Sequence, residues 1–238
     1  MLWRRHSDAV NQALLARWLP SSGVSCLLKT DLFDEATTGG LSASLGANLV
    51  VGADLCHAIA REARARCPEV RAVVADVRAL PFVPGCFDVA VSLSTLDHFR
   101  TEEELTSSLR EIRRVLRSGG TLILTLDNAA NPLVALRNAL PFRLLHRLGL
   151  VPYYVGVTCG PKRLEQLVEQ AGFVVVDTAA VLHCVRVLAV PLCRLVHRHF
   201  GEPTQRRLLR LLMSAERLAG ASFRFRTGHY VVVVARAG

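Results

Sequence analysis

Between Val70 and Asn128 six polar residues follow apolar runs: Asp76, Ser94, Asp97, His98, Asp127 and Asn128. In an open parallel sheet, ligands bind beyond the carboxyl ends of the strands, so these side chains would gather on one rim. A carboxylate there accepts hydrogen bonds from hydroxyl or amino groups. A neutral imidazole can take a proton from an acceptor hydroxyl, and His98 can equally cap or pack the helix that follows. Asp127, Asn128 and Asn131 can supply a base, a substrate clamp or a plain turn. Upstream, Asp54 ends the run Leu49-Val50-Val51-Gly52-Ala53. An acid in that place can accept from both ribose hydroxyls of an adenosine; its alternative is a helix N-cap. Asp76-Val77 pairs a carboxylate with the next backbone N–H, which together can read an adenine amino group and ring nitrogen. A turn aspartate is the alternative there.

Positioning these residues requires strands. The runs Val24–Leu28, Leu49–Asp54, Val70–Val74, Phe87–Leu93 and Thr121–Leu126 have the continuous apolar character of strands buried on both faces. Phe173–Val181 and Tyr230–Ala235 extend the series to seven. Helices alternate with them: Leu55–Cys67, a segment opened by a Thr101/Glu104 capping box, and Leu164–Ala171. Gly119-Gly120 is read as the stop of the middle helix. The expected fold is α/β, a Rossmann-like doubly wound seven-stranded sheet with helices on both faces and a helical insertion before the last strand. Residues 1–238 are read as a single domain, with 129–161 as a cap segment and 183–226 as a basic helical insertion. In that insertion Leu208, Leu211, Leu212 and Ala215 are expected to share one face.

Composition narrows the class. Of the 238 residues 51% are apolar, enough for a sizeable core. No uncharged apolar run reaches the roughly 18 residues of a spanning helix. The opening MLWRRHSDAVNQALLARWLP carries Asp8 where a signal peptide needs an apolar stretch, and reads as an amphipathic helix with Leu14, Leu15 and Trp18 inward. The expected location is cytoplasmic, with peripheral membrane contact open. The seven cysteines include no CxxC pair, so neither a metal site nor a disulfide framework is expected. Charge is uneven: residues 183–226 hold nine arginines against Glu202 and Glu216, accounting for +7 of the net +9. That block speaks of partners, an anionic membrane surface or a second copy of the chain, or of a solvated face. It lacks interleaved aromatics for stacking bases, so nucleic acid is not the expected partner.

The motifs also resemble a family. Asp76-Val77, Leu80-Pro81-Phe82, Phe87-Asp88, Leu96-Asp97-His98 and the Leu109–Gly120 stretch LREIRRVLRSGG are similar to those of class I S-adenosylmethionine-dependent methyltransferases of the methyltransferase type 11 kind. The resemblance covers about residues 48 to 182. It implies S-adenosylmethionine as cofactor, with Asp54 on the ribose, Leu55 beside the adenosine, Asp76 and Val77 on the adenine, and Ser94 near the methyl donor. It assigns His98 or Asp127 as base where the acceptor needs one. Counting back from Asp54, Asp31 occupies the place of the acid that ends strand one. The family's Gly-x-Gly-x-Gly, which lets backbone approach the cofactor, is replaced by CLLKTDLFDEATTGG. Lys29, Asp31, Asp34 and Glu35 there form a charged loop in which Lys29 is either functional or solvated. Tyr153 and Tyr154 can roof the pocket or pack in the core. The function expected is methyl transfer to a small-molecule acceptor, at oxygen or carbon. A non-catalytic protein of the same fold and a nucleic-acid-directed methyltransferase are the alternatives.

Overall fold

Valine-rich runs can be buried on both faces only if helices cover both sides of the sheet, and the chain meets that demand. The computed structural model describes residues 1–20, 23–38, 41, 45–151 and 154–238. The seven strands are β1 (Cys26–Lys29), β2 (Leu49–Asp54), β3 (Val70–Val74), β4 (Phe87–Leu93), β5 (Leu116–Asp127), β6 (Phe173–Val181) and β7 (Tyr230–Ala237). They order as β3-β2-β1-β4-β5-β7-β6. β1 to β5 run parallel, and β7 lies antiparallel between β5 and β6. The order reverses between β1 and β4, which opens a crevice at their carboxyl ends.

The helices are α1 (Leu2–Trp18), α2 (Phe33–Thr38), α3 (His57–Arg66), α4 (Glu102–Val115), α5 (Pro132–Ala139), α6 (Phe142–Arg147), α7 (Pro161–Gln170), α8 (Arg186–His199), α9 (Glu202–Ser214) and α10 (Arg224–Thr227). One core layer joins Leu105, Leu109 and Ile112 of α4 and Leu164 and Val168 of α7 to the sheet. The other joins Leu14 and Leu15 of α1 and Ala60 and Ala63 of α3 to the opposite face. Among the described residues no helix is long and apolar enough to cross a membrane.

Several details differ from the sequence reading. The first strand begins at Cys26, because the Asp88 carboxylate accepts from the backbone N–H of Ser25 (2.6 Å) and Cys26 (2.9 Å) and fixes where the ladder starts. The capping box holds at Thr101, whose hydroxyl accepts from Glu104 N at 3.3 Å. However, α4 ends at Val115, before the glycines: Leu116 is already extended (ψ 138°) and pairs with Phe87. Gly119, at φ +72°, serves the turn inside β5 instead. Of the face expected in the insertion only Leu208 and Leu212 are buried, packed with Ala189, Cys193 and Val196 of α8 and Leu2 of α1. Leu211 lies about 100° round the helix from Leu212 and faces water, and Ala215 begins a 3-10 turn. The basic insertion is thus anchored by the first helix, a pairing across nearly the whole chain.

Candidate functional site

The carboxyl ends of β1 to β4 open into a cavity of about 550 Å³. Asp31, Asp54, Leu55, Asp76, Val77, Ser94 and His98 all line it. Asp127 does not.

Asp54 ends β2 and ties two loops together. Its Oδ2 accepts from Leu32 N at 3.0 Å and its Oδ1 from Cys56 N at 2.8 Å. It does not act as the N-cap of α3, which is Cys56. A carboxylate has about four lone-pair sites, so each oxygen can accept once more. Asp76 is clamped by Arg78, whose Nη2 donates at 2.7 Å and Nε at 3.0 and 3.1 Å. These hydrogen bonds hold the Asp76 carboxyl below its ordinary range. Arg78 also reaches Glu104 at 2.6 Å, so the turn after β3 is braced on α4.

The turn after β1 replaces a glycine cradle with a buried ion cluster. Lys29 is 0% exposed. Its Nζ donates to Glu35 Oε2 at 2.9 Å, Asp31 Oδ1 at 3.1 Å and the Asp31 carbonyl at 3.0 Å. Burial opposes the ammonium charge, but Asp31 and Glu35 more than offset it, so Lys29 titrates above its usual value. The solvated alternative for Lys29 is thereby corrected, and Glu35 is fully buried as well. A chain segment with the alternation of a charged loop folds inward because each charge has a counter-charge within reach. Leu32, on the same turn, lies over Gly52, where a Cβ would come within 2.1 Å of its side chain. The β2 glycine is therefore required by close packing of this turn. Asp31 keeps its second oxygen for Thr95, whose hydroxyl donates at 3.1 Å. Gly39 and Gly40 lie outside the described residues.

Ser94 follows β4 in the left-handed region, at φ +53°. Such a conformation costs a non-glycine residue on the order of 1–3 kcal/mol. It is held by hydrogen bonds from Ser94 N to the Thr125 carbonyl and hydroxyl oxygens. The reward is a hydroxyl aimed at Asp97 Oδ2, to which it donates at 2.7 Å. Asp97 is buried, and its other oxygen has no hydrogen-bond partner among the described residues. Burial, then the nearby charge of Asp127, pushes the Asp97 pKa up to about 6. His98 sits beside it on a 3-10 turn (Leu96–His98), with its side chain 52% exposed and its Nε2 3.9 Å from Asp97 Oδ1. Its Nδ1 faces the Tyr154 carbonyl oxygen at 3.3 Å. A carbonyl only accepts, so Nδ1 carries the proton and Nε2 of the neutral ring keeps its lone pair.

Asp127 lies beneath Arg137 and His229. It is ion-paired with Arg137 and stands 3.6 Å from His229 Nε2. Burial drives the His229 pKa down to about 4. Asn128 and Asn131 donate to the Phe225, Thr227 and Gly228 carbonyls and pin α10 to the end of β5, while Asn131 also caps α5. Tyr154 is half exposed and packs edge-on against Phe142; Tyr153 lies outside the described residues. Trp3 of α1 and Arg186 of α8 also line the cavity. Neither carries a signal in the sequence, since both arrive from elements far along the chain.

Residues 36–124 match the family model described as a methyltransferase domain. A tRNA (carboxymethyluridine(34)-5-O)-methyltransferase from Xenopus tropicalis is 40% identical over 22% of this chain and 8% of its own length. A probable S-adenosylmethionine-dependent methyltransferase from Mycolicibacterium smegmatis is 27% identical over 90% of this chain and 73% of its own. The chain thus spans less than a tenth of the first of these relatives. Geranyl diphosphate methyltransferase, solved in complex with S-adenosylmethionine, superposes with a TM-score of 0.62 at 15% identity, covering 97% of this chain and 85% of that one. The fold is that of the class I S-adenosylmethionine-dependent methyltransferases, and the match to the methyltransferase-domain model spans residues 36–124.

Proposed function

We propose that the chain transfers a methyl group from S-adenosylmethionine to a small-molecule acceptor, at an oxygen or carbon atom. One observation carries this reading. Seven side chains separated in sequence, from Asp31 to His98, line a single cavity beyond the carboxyl ends of the parallel strands. Its volume lies in the range of small-ligand sites. Four carboxylates, Asp31, Asp34, Asp54 and Asp76, line it with Arg4, Arg78 and Arg186; Asp31, Asp34 and Asp76 are ion-paired, and Asp54 is in no ion pair among the described residues, which suits it to accept from a ligand's hydroxyls.

In this reading the open lone pairs of Asp54 accept the ribose hydroxyls. Asp76, oriented by Arg78, and the Val77 N–H face the adenine, with Leu55 on its flank. The Lys29-centred turn, with Asp31 at its edge, stands where family members use glycines and holds the methionine part; Ser94 lies beside the methyl. Bound S-adenosylmethionine supplies an electrophilic methyl, whose transfer leaves the carbon–sulfur electron pair on sulfur. The chain's own work is alignment and exclusion of water. A hydroxyl acceptor must also lose a proton, and His98 Nε2 at the cavity wall takes it, with Asp97 behind. The ion pair with Arg137 supports a structural part for Asp127 over a catalytic one.

A nucleic-acid acceptor is the second reading, favoured by the basic 183–226 segment. The named tRNA enzyme is matched over too short a stretch to bear on the acceptor side. Calorimetric titration with S-adenosylmethionine and with its demethylated product tests the proposal. Saturable binding of both is expected. Silent titrations together with an unmoved melting temperature overturn it, and methyl incorporation into bulk tRNA selects the second reading.

A further inference from the structure

A second cavity, of about 720 Å³, lies between α5–α6 and α8, and its lining differs in kind. Leu133 and Leu136 of α5 and Leu140, just past its end, line it together with Val187 and Val190 of α8. Much of this wall is wet: Leu136 is 58% exposed, an unfavourable place for a large apolar side chain with nothing to cover it. The lining also holds Arg137, Arg186, Arg194 and Arg226, and no Asp or Glu. Among the described residues neither Arg194 nor Arg226 takes part in an ion pair.

The two cavities adjoin, since Trp3 and Arg186 line both. Arg186 Nη1 lies 3.1 Å from the hydroxyl of Tyr230, on the first cavity, and 3.0 Å from Nε2 of His229, on the second. We propose that the second cavity binds the methyl acceptor, and that this acceptor is an amphiphile: a long saturated or prenyl chain ending in an anionic group, carboxylate or phosphate. The inference rests on the reading of the first cavity as the cofactor site. The chain lies along the leucine and valine walls, which gain cover from water. The anionic end meets arginines, whose fork geometry suits either oxyanion. Arg186, in both linings, would hold the anionic end at the boundary of the two cavities, where its oxygen would meet the methyl: the carbon–oxygen bond forms as the carbon–sulfur bond breaks, and that electron pair stays on sulfur.

Dodecanoate, dodecyl phosphate and dodecyltrimethylammonium, each held as monomer, are the probes, titrated by calorimetry into the full chain without cofactor. Both anions should bind at least about tenfold more tightly than the cation of equal chain length. The tighter anion then names the head group. The exposed pair Arg194→Ala/Arg226→Ala should lose about tenfold for the anions. Leu136→Glu, also at an exposed position, should weaken both further. Equal binding of anion and cation, or unchanged anion binding in the arginine variant, overturns the proposal. Binding to phosphatidylglycerol vesicles with no binding of monomeric dodecanoate also overturns it, and makes the face a membrane-docking surface. S-adenosylmethionine is titrated separately: a failure there leaves an anion preference standing, and a failure here leaves the cofactor site standing.

Discussion

Two cavities share Trp3 and Arg186 and are otherwise opposites. The first is cut into the sheet, and most of its functional side chains come from strand ends whose positions the backbone ladder fixes. Its charges are paired: Lys29 with Glu35 and Asp31, Asp76 with Arg78, Arg4 with Asp34. The second is built by helices outside the sheet. Its arginines 194 and 226 are exposed and its leucines are half in water. Paired charges buried around a crevice make a preorganised site, whereas unpaired cations beside wet apolar walls make a site completed by its ligand. Under the two proposals above, the contrast would place a fixed cofactor chemistry and an adaptable acceptor chemistry in different layers of one chain.

The largest effect should come from breaking the pairing in the first cavity. Lys29→Met leaves Glu35 buried without a counter-charge, and loss of one partner of a buried pair costs about 3–5 kcal/mol. Urea unfolding measures it. The double variant Lys29→Met/Glu35→Gln should recover most of the loss; an equally unstable double variant would show that the turn needs the charges for more than each other.

Next is the wall of the first cavity. His98→Ala should slow methyl transfer to a hydroxyl acceptor by about 10²–10⁴-fold, with cofactor affinity nearly unchanged. A variant of parental rate would return His98 to capping its turn and leave transfer to alignment alone. Asp54→Ala separates the two sites most directly. Removal of a charged acceptor should cost about 1.5–3 kcal/mol per lost ribose hydrogen bond. Dodecanoate binding should not move, and circular dichroism checks that the two loops Asp54 ties remain folded. Loss of both ligands together would mean that the cavities are one site.

The smallest effect concerns Asp97 and is read from pH. Its folded pKa is about 6, against 3.8 for the unconstrained side chain. The folded state therefore binds more protons between those values. That contribution to stability is complete below about pH 3.8 and is lost as pH rises through about 6. Asn cannot ionise, so Asp97→Asn should gain stability over the parent across that window, on the order of 1–3 kcal/mol at neutral pH. Melting temperatures of both proteins against pH measure it, and a difference independent of pH would remove Asp97 from the titration.

Much of the architecture was legible before any coordinates. Seven apolar runs became seven strands, because a period of burial is a local property that each segment declares by itself. The rim residues Asp54, Asp76, Ser94 and His98 were legible for the same reason: they follow strands, and strand ends share a rim. Boundaries were less so. The glycines Gly119-Gly120 predict the stop of α4, whereas pairing of Leu116 with Phe87 ends it earlier, a long-range bond with no local mark.

What the sequence determined by itself is the sheet, its crevice and several of the strand-end side chains that line it. What only the tertiary structure decided is how charges are matched and what lies against the crevice. Lys29 reads equally as solvated or buried until Glu35 and Asp31 are seen around it. Asp127 reads as a base, a clamp or a turn residue, and its ion pair with Arg137 is visible only in the fold. The second cavity has no signature at all, since its walls come from α1, α5 and α8, joined only when Leu2 packs under Val196 and Leu212. The physical reason is range. Periodicity and turn chemistry act between neighbours in the chain, whereas ion pairing, burial and cavity shape depend on contacts that folding makes between segments nearly two hundred residues apart, as in the Arg5–Glu202 pair.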